Sequence, residues 1–222
     1  VTATRGVLPA SAGTPPLLSF LNRSVSEEGG GGGRGRTMLP LVLEGGLAQL
    51  IDEHLKVAFR ATTGGKFAEA LGEFLHVMRA LPFITVDTRR DVTEAKEMLT
   101  ICREYVLGLR MTMRRGELAS DPVRQAELAA YFTHCNLQPV HLMLSLRSAM
   151  NNAYKVKNFL TAASFARRLL ELDPKPDVAA QAKKVIQFAE QNSQNAVQLD
   201  YDERNPFVVC GISFKPIYKG SP

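Results

Sequence analysis

The sequence predicts an all-α fold that ends in a short extended tail. Apolar residues recur every three to four positions through most of the chain after residue 46, which is the spacing of amphipathic helices. Glycine and proline interrupt the pattern repeatedly, and only the last segment is rich in β-branched and aromatic residues. With 45% hydrophobic and 22% charged residues among 222, the composition is that of a globular protein.

Seven helices are predicted in order along the chain. They are expected over about 47–63, 67–81, 91–115, 122–136, 139–156, 159–172 and 177–190. Gly116 is expected to end the third helix. Asp121, which precedes a proline, is expected to cap the fourth, and Asp177 is expected to cap the last.

Composition divides the chain into three predicted regions. Residues 1–37 are rich in Gly, Pro, Ser and Thr, and we expect a flexible linker or tail there. Residues 38–198 are expected to form the helical scaffold domain. Residues 199–222 should form an extended tail or β-hairpin packed on the helices, because two strands alone are marginally stable in water.

A short pattern occurs twice in the helical region. Phe67 stands three residues before Ala70, and Phe159, which lies 92 residues further on, stands three residues before Ala162. This pattern is typical of tetratricopeptide-like hairpins, in which the ring fills the gap between paired helices and alanine allows them to approach. The sequence therefore predicts an irregular α-solenoid of such hairpins. Its helix pairs should pack through Phe67, Ala70, Phe74, Phe159, Ala162 and Leu169.

The small excess of positive charge would suit an acidic partner or an anionic membrane surface, but it is too small to indicate nucleic acid. The formal net charge is +5, and basic doublets such as Arg89-Arg90 and Arg167-Arg168 have acidic neighbours, as solvated helix faces do. We therefore predict no nucleic-acid partner, with a weakly basic nucleic-acid-binding helical module kept as an alternative. No apolar run approaches the roughly 18 residues of a membrane span. Because the chain begins with Val1 rather than Met, we expect it to be a fragment.

The cysteines and histidines do not predict a metal site. Cys102, Cys135 and Cys210 are an odd number without CxxC pairing, which disfavours a disulfide framework and fits a reducing compartment. His134 and His141 lie near Cys135, but no spacing fixes their geometry. We interpret these residues as helix-end and core positions.

No cluster predicts catalysis either. Residues 30–37 nearly match a phosphate-binding loop, but Arg36 replaces the lysine and no strand precedes the segment. Glu73 and His76 lie one helical turn apart, which is ordinary on a helix surface. The sequence thus predicts no enzyme and no cofactor.

Several long segments resemble a known family. These segments are 101–109, 129–134 with 136–141, 157–172, and the tail residues Asn205, Pro206, Phe207, Cys210, Pro216, Ile217, Tyr218 and Gly220. Together they are similar to the C-terminal domain of the alpha subunit of coatomer, over about residues 38–222, whereas residues 1–37 show no such likeness. Members of that family continue past the residue that matches Gly220 into a cysteine-rich segment, so we expect any metal site there to be absent or truncated.

The resemblance implies a cytoplasmic vesicle-coat subunit, peripheral on Golgi and vesicle membranes, that acts in Golgi-to-ER and intra-Golgi transport. It implies that this domain holds the coatomer epsilon subunit as a 1:1 heterodimer and meets other coat subunits, without catalysis. Within the tail, the partner interface is expected at Phe207, Val209, Phe214 and Tyr218. A generic helical protein-binding scaffold is the alternative that the residues alone support.

Overall fold

The computed structural model of the chain describes residues 4–7, 18–21, 46–84 and 88–218. The helices are α1 (Leu47–Leu50), α2 (Lys56–Thr63), α3 (Phe67–Ala80), α4 (Arg89–Glu117), α5 (Pro122–Phe132), α6 (Pro139–Lys155), α7 (Phe159–Glu171) and α8 (Pro176–Gln191). The strands are β1 (Thr4–Val7), β2 (Leu18–Leu21), β3 (Phe207–Val209) and β4 (Pro216–Tyr218). The predicted all-α class with a short extended C-terminal tail is confirmed.

The first predicted helix is interrupted by a π-helical turn. Residues Ile51–Leu55 form this turn between α1 and α2. In a regular α-helix residues five apart point to different sides, and the wider turn brings them closer to one side. Leu50 and Leu55 are both buried as a result. Hydrophobic spacing alone predicts one helix over this stretch and does not reveal the turn.

The two copies of the repeated pattern share one backbone turn. Gly65 between α2 and α3 has φ 74°, and Lys157 between α6 and α7 has φ 60°. In both turns the next residue's N–H donates to a carbonyl oxygen five residues back at 2.9 Å, as in a Schellman motif. Phe67 and Phe159 then begin the second helices. The likeness between the two sequence segments therefore extends to the backbone.

The six residues assigned to helix-pair packing differ in burial. Ala70, Phe74, Ala162 and Leu169 are fully buried. Phe67 and Phe159, expected as buried aromatics, are only partly buried. Each is the first residue of its helix, directly after the turn. Phe67 packs on the main core, whereas Phe159 contacts the rings of Tyr154 and Phe188.

Three predicted helix boundaries are wrong by a few residues. α4 begins at Arg89 and ends at Glu117, because Thr88 and Asp91 form a reciprocal capping box before it. Gly116 lies inside its last turn. α5 ends at Phe132 rather than near residue 136, and the hydroxyl of Thr133 donates to the Ala130 carbonyl at that end.

The fourth and last helices start at proline. Asp121 caps α5 as predicted, and its carboxylate accepts the N–H of Arg124 at 2.9 Å. α8 begins at Pro176 with Lys175 as its N-cap, so Asp177 lies in the first turn instead of capping the helix. The fixed φ of proline suits that first position.

Consecutive helices pack on one another, as expected of a solenoid: α2 on α3, α3 on α4, α4 on α5, α5 on α6, α6 on α7, and α7 on α8. The buried residues form two clusters that meet at α5. Leu128, Tyr131 and Phe132 belong to the first cluster, whereas Ala129 and Ala130 belong to the second. The first cluster also needs Gly108 of α4, since a Cβ there would lie 2.1 Å from Cε2 of Phe132.

The two strand pairs are both antiparallel hairpins. β1 pairs with β2, with Thr4 opposite Leu21. The sequence does not predict this pairing within residues 1–37, and the treatment of that segment as a separate region stays a prediction. β3 pairs with β4, with Val208 opposite Ile217.

Side-chain and backbone hydrogen bonds hold the tail on the helices. The side chain of Asn158 donates to the carbonyl of Val197 at 2.8 Å and accepts its N–H at 3.0 Å. The Asp200 N–H donates to the Glu127 carboxylate at 2.8 Å, and the Tyr131 hydroxyl donates to the Asp200 carbonyl. The tail is therefore fixed to α5 and to the turn before α7.

Candidate protein-binding site

The C-terminal hairpin has an inner face packed on the helices. Phe207, Val209 and Phe214 pack against the first buried cluster, and Phe207 also meets the ring of Tyr131 at 5.6 Å in an edge-to-face arrangement. Tyr218 contacts Phe207 from the neighbouring strand at 5.6 Å. All four residues expected at the partner interface thus lie partly buried against this chain's own residues. Their assignment to an interface stays a prediction.

The outer face of the same hairpin is apolar and exposed. Val208 is 67% exposed and its cross-strand neighbour Ile217 is 52% exposed. Ile212, in the connection between the strands, is 92% exposed. Residues alternate between faces along a strand, so the inward direction of Phe207 and Val209 fixes the outward direction of Val208. Sequence reasoning selected the hairpin but not this face, because the apolar run gave no sign of which alternate residues point inward.

A groove lies beside the hairpin, and we call it the α4–β3 groove. Its volume is about 580 Å³, and it is lined by Arg103, Leu107 and Arg110 of α4 and by all three residues of β3. Cys135 also borders it, whereas no residue of β4 does. The sequence could not predict this groove, because its two sides lie about a hundred positions apart in the chain.

The groove carries a small excess of positive charge. Arg103 pairs with the adjacent Glu104 at 2.9 Å. Arg110 is exposed, and within residues 46–84 and 88–218 its side chain makes no ion pair or hydrogen bond. One guanidinium at the rim is therefore available to a carboxylate from outside.

The residues weighed as metal ligands are occupied by packing and hydrogen bonds. His141 is buried, its Nδ1 lies 2.7 Å from the Tyr105 hydroxyl, and its Nε2 lies 2.9 Å from the Thr63 hydroxyl. Burial raises the pKa of both Cys102 and Cys135 to about 12, so neither is a ready thiolate ligand. Among the described residues, no group of three or more metal-binding side chains comes together.

His134 and Cys210 lie at the tail. The Nε2 atom of His134 is 2.8 Å from the Tyr201 hydroxyl. Hydrogen bonds from Ser213 and from the backbone of Ile212 lower the pKa of the Cys210 thiol to about 7. Cys210 is partly exposed and unpaired, and its contacts stabilise the turn of the hairpin.

The acid–base candidates form a surface cluster. Glu73 pairs with Nδ1 of His54 at 2.7 Å rather than with His76, and the rings of the two histidines lie 4.0 Å apart. His54 comes from the π-helical turn, which sequence reasoning missed. The cluster borders no described groove. The near match to a phosphate-binding loop at residues 30–37 lies outside the described residues.

Several basic doublets contact other residues of the chain. Arg114 pairs with Glu117 at 2.6 Å, and Arg115 donates to the Ser148 hydroxyl at 2.8 Å. Arg168 donates to the Thr133 carbonyl at 3.1 Å and lies 3.5 Å from the Glu203 carboxylate. These arginines serve local structure. Across the part of the chain that the structure describes, no helix has the length and apolar character needed to span a membrane.

A stack of consecutively packed helices with a pinned apolar hairpin defines a helical scaffold of the protein-binding class. The chain belongs to the family described as the C-terminus of the coatomer (COPI) alpha subunit, whose model matches residues 1–222. The match includes residues 1–37, so the expectation that the likeness is limited to about residues 38–222 is wrong.

Named relatives support the same family. Coatomer subunit alpha of Dictyostelium discoideum is 49% identical over 228 residues, which cover 99% of this chain and 18% of that protein. Coatomer subunit alpha-1 of Arabidopsis thaliana is 55% identical over 170 residues, covering 77% and 14%, and the Saccharomyces cerevisiae coatomer subunit alpha is 32% identical over 174 residues, covering 78% and 14%. The chain thus spans less than a fifth of these relatives. They are named as coat subunits rather than as enzymes.

Proposed function

We propose that this chain is the domain of a coatomer-type coat subunit that binds the epsilon subunit as a 1:1 heterodimer. It acts in Golgi-to-ER and intra-Golgi transport, in the cytoplasm and peripherally on Golgi and vesicle membranes, together with other coat subunits. Its role is structural and includes no catalysis. Family membership and the helical scaffold support this role.

The observation that carries the proposal is the exposed apolar face of the C-terminal hairpin. Val208, Ile212 and Ile217 are exposed on this face, and contiguous exposed apolar surface on a folded protein favours a protein partner. Burying such side chains contributes about 25 cal/mol per Å² of apolar area before the cost of association. We therefore place the epsilon contact at this outer face, with the inner aromatics supporting it from below.

The hairpin is well suited to present such a face because it is held in place. Arg124 donates to the carbonyl of Phe214 at 2.9 Å and pairs with Glu127 at 2.6 Å. The same Glu127 accepts the backbone N–H of Asp200. A surface fixed in this way loses little conformational entropy on binding, which favours affinity.

The test is a light-scattering measurement on mixtures of this chain with the epsilon subunit. We expect one species with the mass of a 1:1 complex, and we expect it to persist at high salt because the interface is apolar. The double variant Ile212→Asp with Ile217→Asp should bind at least about tenfold more weakly, since it places two charges in the buried interface.

The matched control is Leu160→Asp on α7, which removes an exposed apolar residue elsewhere. It should bind as the unsubstituted chain does. A stable complex that both variants weaken equally would remove the hairpin from the interface, and no complex at all would remove the proposed partner.

A further inference from the structure

We infer that the α4–β3 groove binds an extended acidic peptide, which adds a strand to the free edge of β3. This site shares Val208 with the outer face assigned to the coat partner, but its other wall is α4, and it does not depend on that proposal. The occupant is a peptide segment of another protein that alternates apolar and acidic residues.

Within the residues that the structure describes, the register of the hairpin leaves the groove side of β3 without a strand partner. The Cys210 N–H donates to the Lys215 carbonyl at 3.0 Å. Hydrogen-bonded pairs alternate along an antiparallel ladder, so the next such pair is Val208 with Ile217. The N–H and C=O groups of Phe207 and Val209 therefore point away from β4, and no described residue bonds to them.

These free groups face the groove rather than open solvent. All three residues of β3 line the groove and no residue of β4 does, so the space lies on the unpaired side of the strand. An unpaired strand edge is a template for an added strand, and main-chain hydrogen bonds supply much of the affinity of such complexes.

The α4 side of the groove, opposite β3, indicates which side chains the bound peptide should carry. Leu107 of α4 is a partly buried apolar residue that suits an apolar side chain of the added strand. Arg110 lies along the same wall without a carboxylate partner in the described chain, while Arg103 already pairs with Glu104. Charge complementarity thus favours a carboxylate on the peptide, placed to reach Arg110.

The experiment measures fluorescence anisotropy of a labelled peptide of alternating glutamate and valine, about eight residues long, on addition of the full 222-residue chain. We expect saturable binding. A peptide of alternating lysine and valine, and a glutamate–valine peptide with N-methylated valines, should each bind at least about tenfold more weakly, because one reverses the charge and the other removes ladder donors.

Variants of the chain test whether Arg110, on the α4 side of the groove, binds the acidic peptide. Arg110→Glu should weaken binding about tenfold or more, whereas Arg110→Lys should retain most of it. Arg167→Glu on α7 is the matched control, because it makes the same charge change on an exposed arginine outside the groove. Thermal melts of each variant confirm folding.

Three results would overturn the inference. They are no binding of the glutamate–valine peptide, equal binding of the N-methylated peptide, and equal weakening by Arg110→Glu and Arg167→Glu. The last result would mean that net charge alone attracts the peptide. Because the epsilon subunit is absent from every arm, failure here is distinct from failure of the proposed coat partnership.

Discussion

The hairpins α2–α3 and α6–α7 have the same turn and the same opening residues, but their aromatic side chains are buried to different extents. Both turn through a residue with positive φ and then begin a helix with phenylalanine, followed three residues later by a buried alanine. In the first pair Phe74 stacks on Tyr105 with 4.7 Å between ring centroids, inside the larger cluster. In the second pair Phe159 lies in a small surface group with Tyr154 and Phe188. A repeated local pattern therefore predicts the turn but not the burial of each aromatic residue.

The largest expected effect is on the free energy of unfolding, which should fall more when a buried phenylalanine of the first hairpin is removed than when a partly exposed one of the second is removed. Phe74→Ala should lower the free energy of unfolding by about 3–5 kcal/mol, because the ring is fully buried among aromatic neighbours. Phe159→Ala should lower it by only about 1–2 kcal/mol, because its ring is partly exposed. Urea unfolding followed by circular dichroism measures both. Equal losses would mean that the two hairpins contribute alike to the core.

The second effect is a pH dependence that arises where α6, the first helix of the second hairpin, contacts α2 of the first. Burial lowers the pKa of His141, which links α2 and α4 to α6 through Thr63 and Tyr105. The unfolded chain then binds a proton at a higher pH than the folded chain does, so stability is full above a pH of about 6.5 and declines as the pH falls below it.

This dependence can be measured by unfolding at pH values from about 7 down to about 5. His141→Gln should reduce the slope of unfolding free energy against pH. If the dependence of the unfolding free energy on pH were unchanged in His141→Gln, His141 would not be its source.

The smallest effect concerns the residue at positive φ in each turn. Lys157→Gly should stabilise the chain by about 0.5–1 kcal/mol. Glycine adopts the positive φ without steric strain, which stabilises the folded state, but it also loses more backbone entropy on folding, which cancels part of that gain. Gly65→Ala should destabilise it by about 1 kcal/mol, since open space around Gly65 leaves only the backbone conformation to oppose a Cβ. Melting temperatures that move in the same direction for both variants would contradict the shared turn.

Much of the fold could be predicted because its signals are local. Hydrophobic periodicity with Gly and Pro boundaries gave the order of the helices, and Asp121 with Pro122 gave the start of α5. The start of α4 was missed although Thr88 and Asp91 form a capping box, a signal that the sequence contains. The π-helical turn was missed because one widened turn hardly changes an apolar pattern.

The candidate site was less predictable because it is assembled from distant segments. The sequence indicated that the tail is apolar, but only the packing of Phe207 on Tyr131 decides that Val208 and Ile217 point outward. The α4–β3 groove depends on the position of Arg110 beside a strand that follows almost a hundred residues later. Neither arrangement has a local sequence signal.

The most direct test of the central claim is amide hydrogen exchange of the chain with and without the epsilon subunit. The account predicts slower exchange on binding in the C-terminal hairpin, residues 207–218, and unchanged exchange in α7. Protection confined to α7, or no protection in the hairpin within a complex that demonstrably forms, would contradict it.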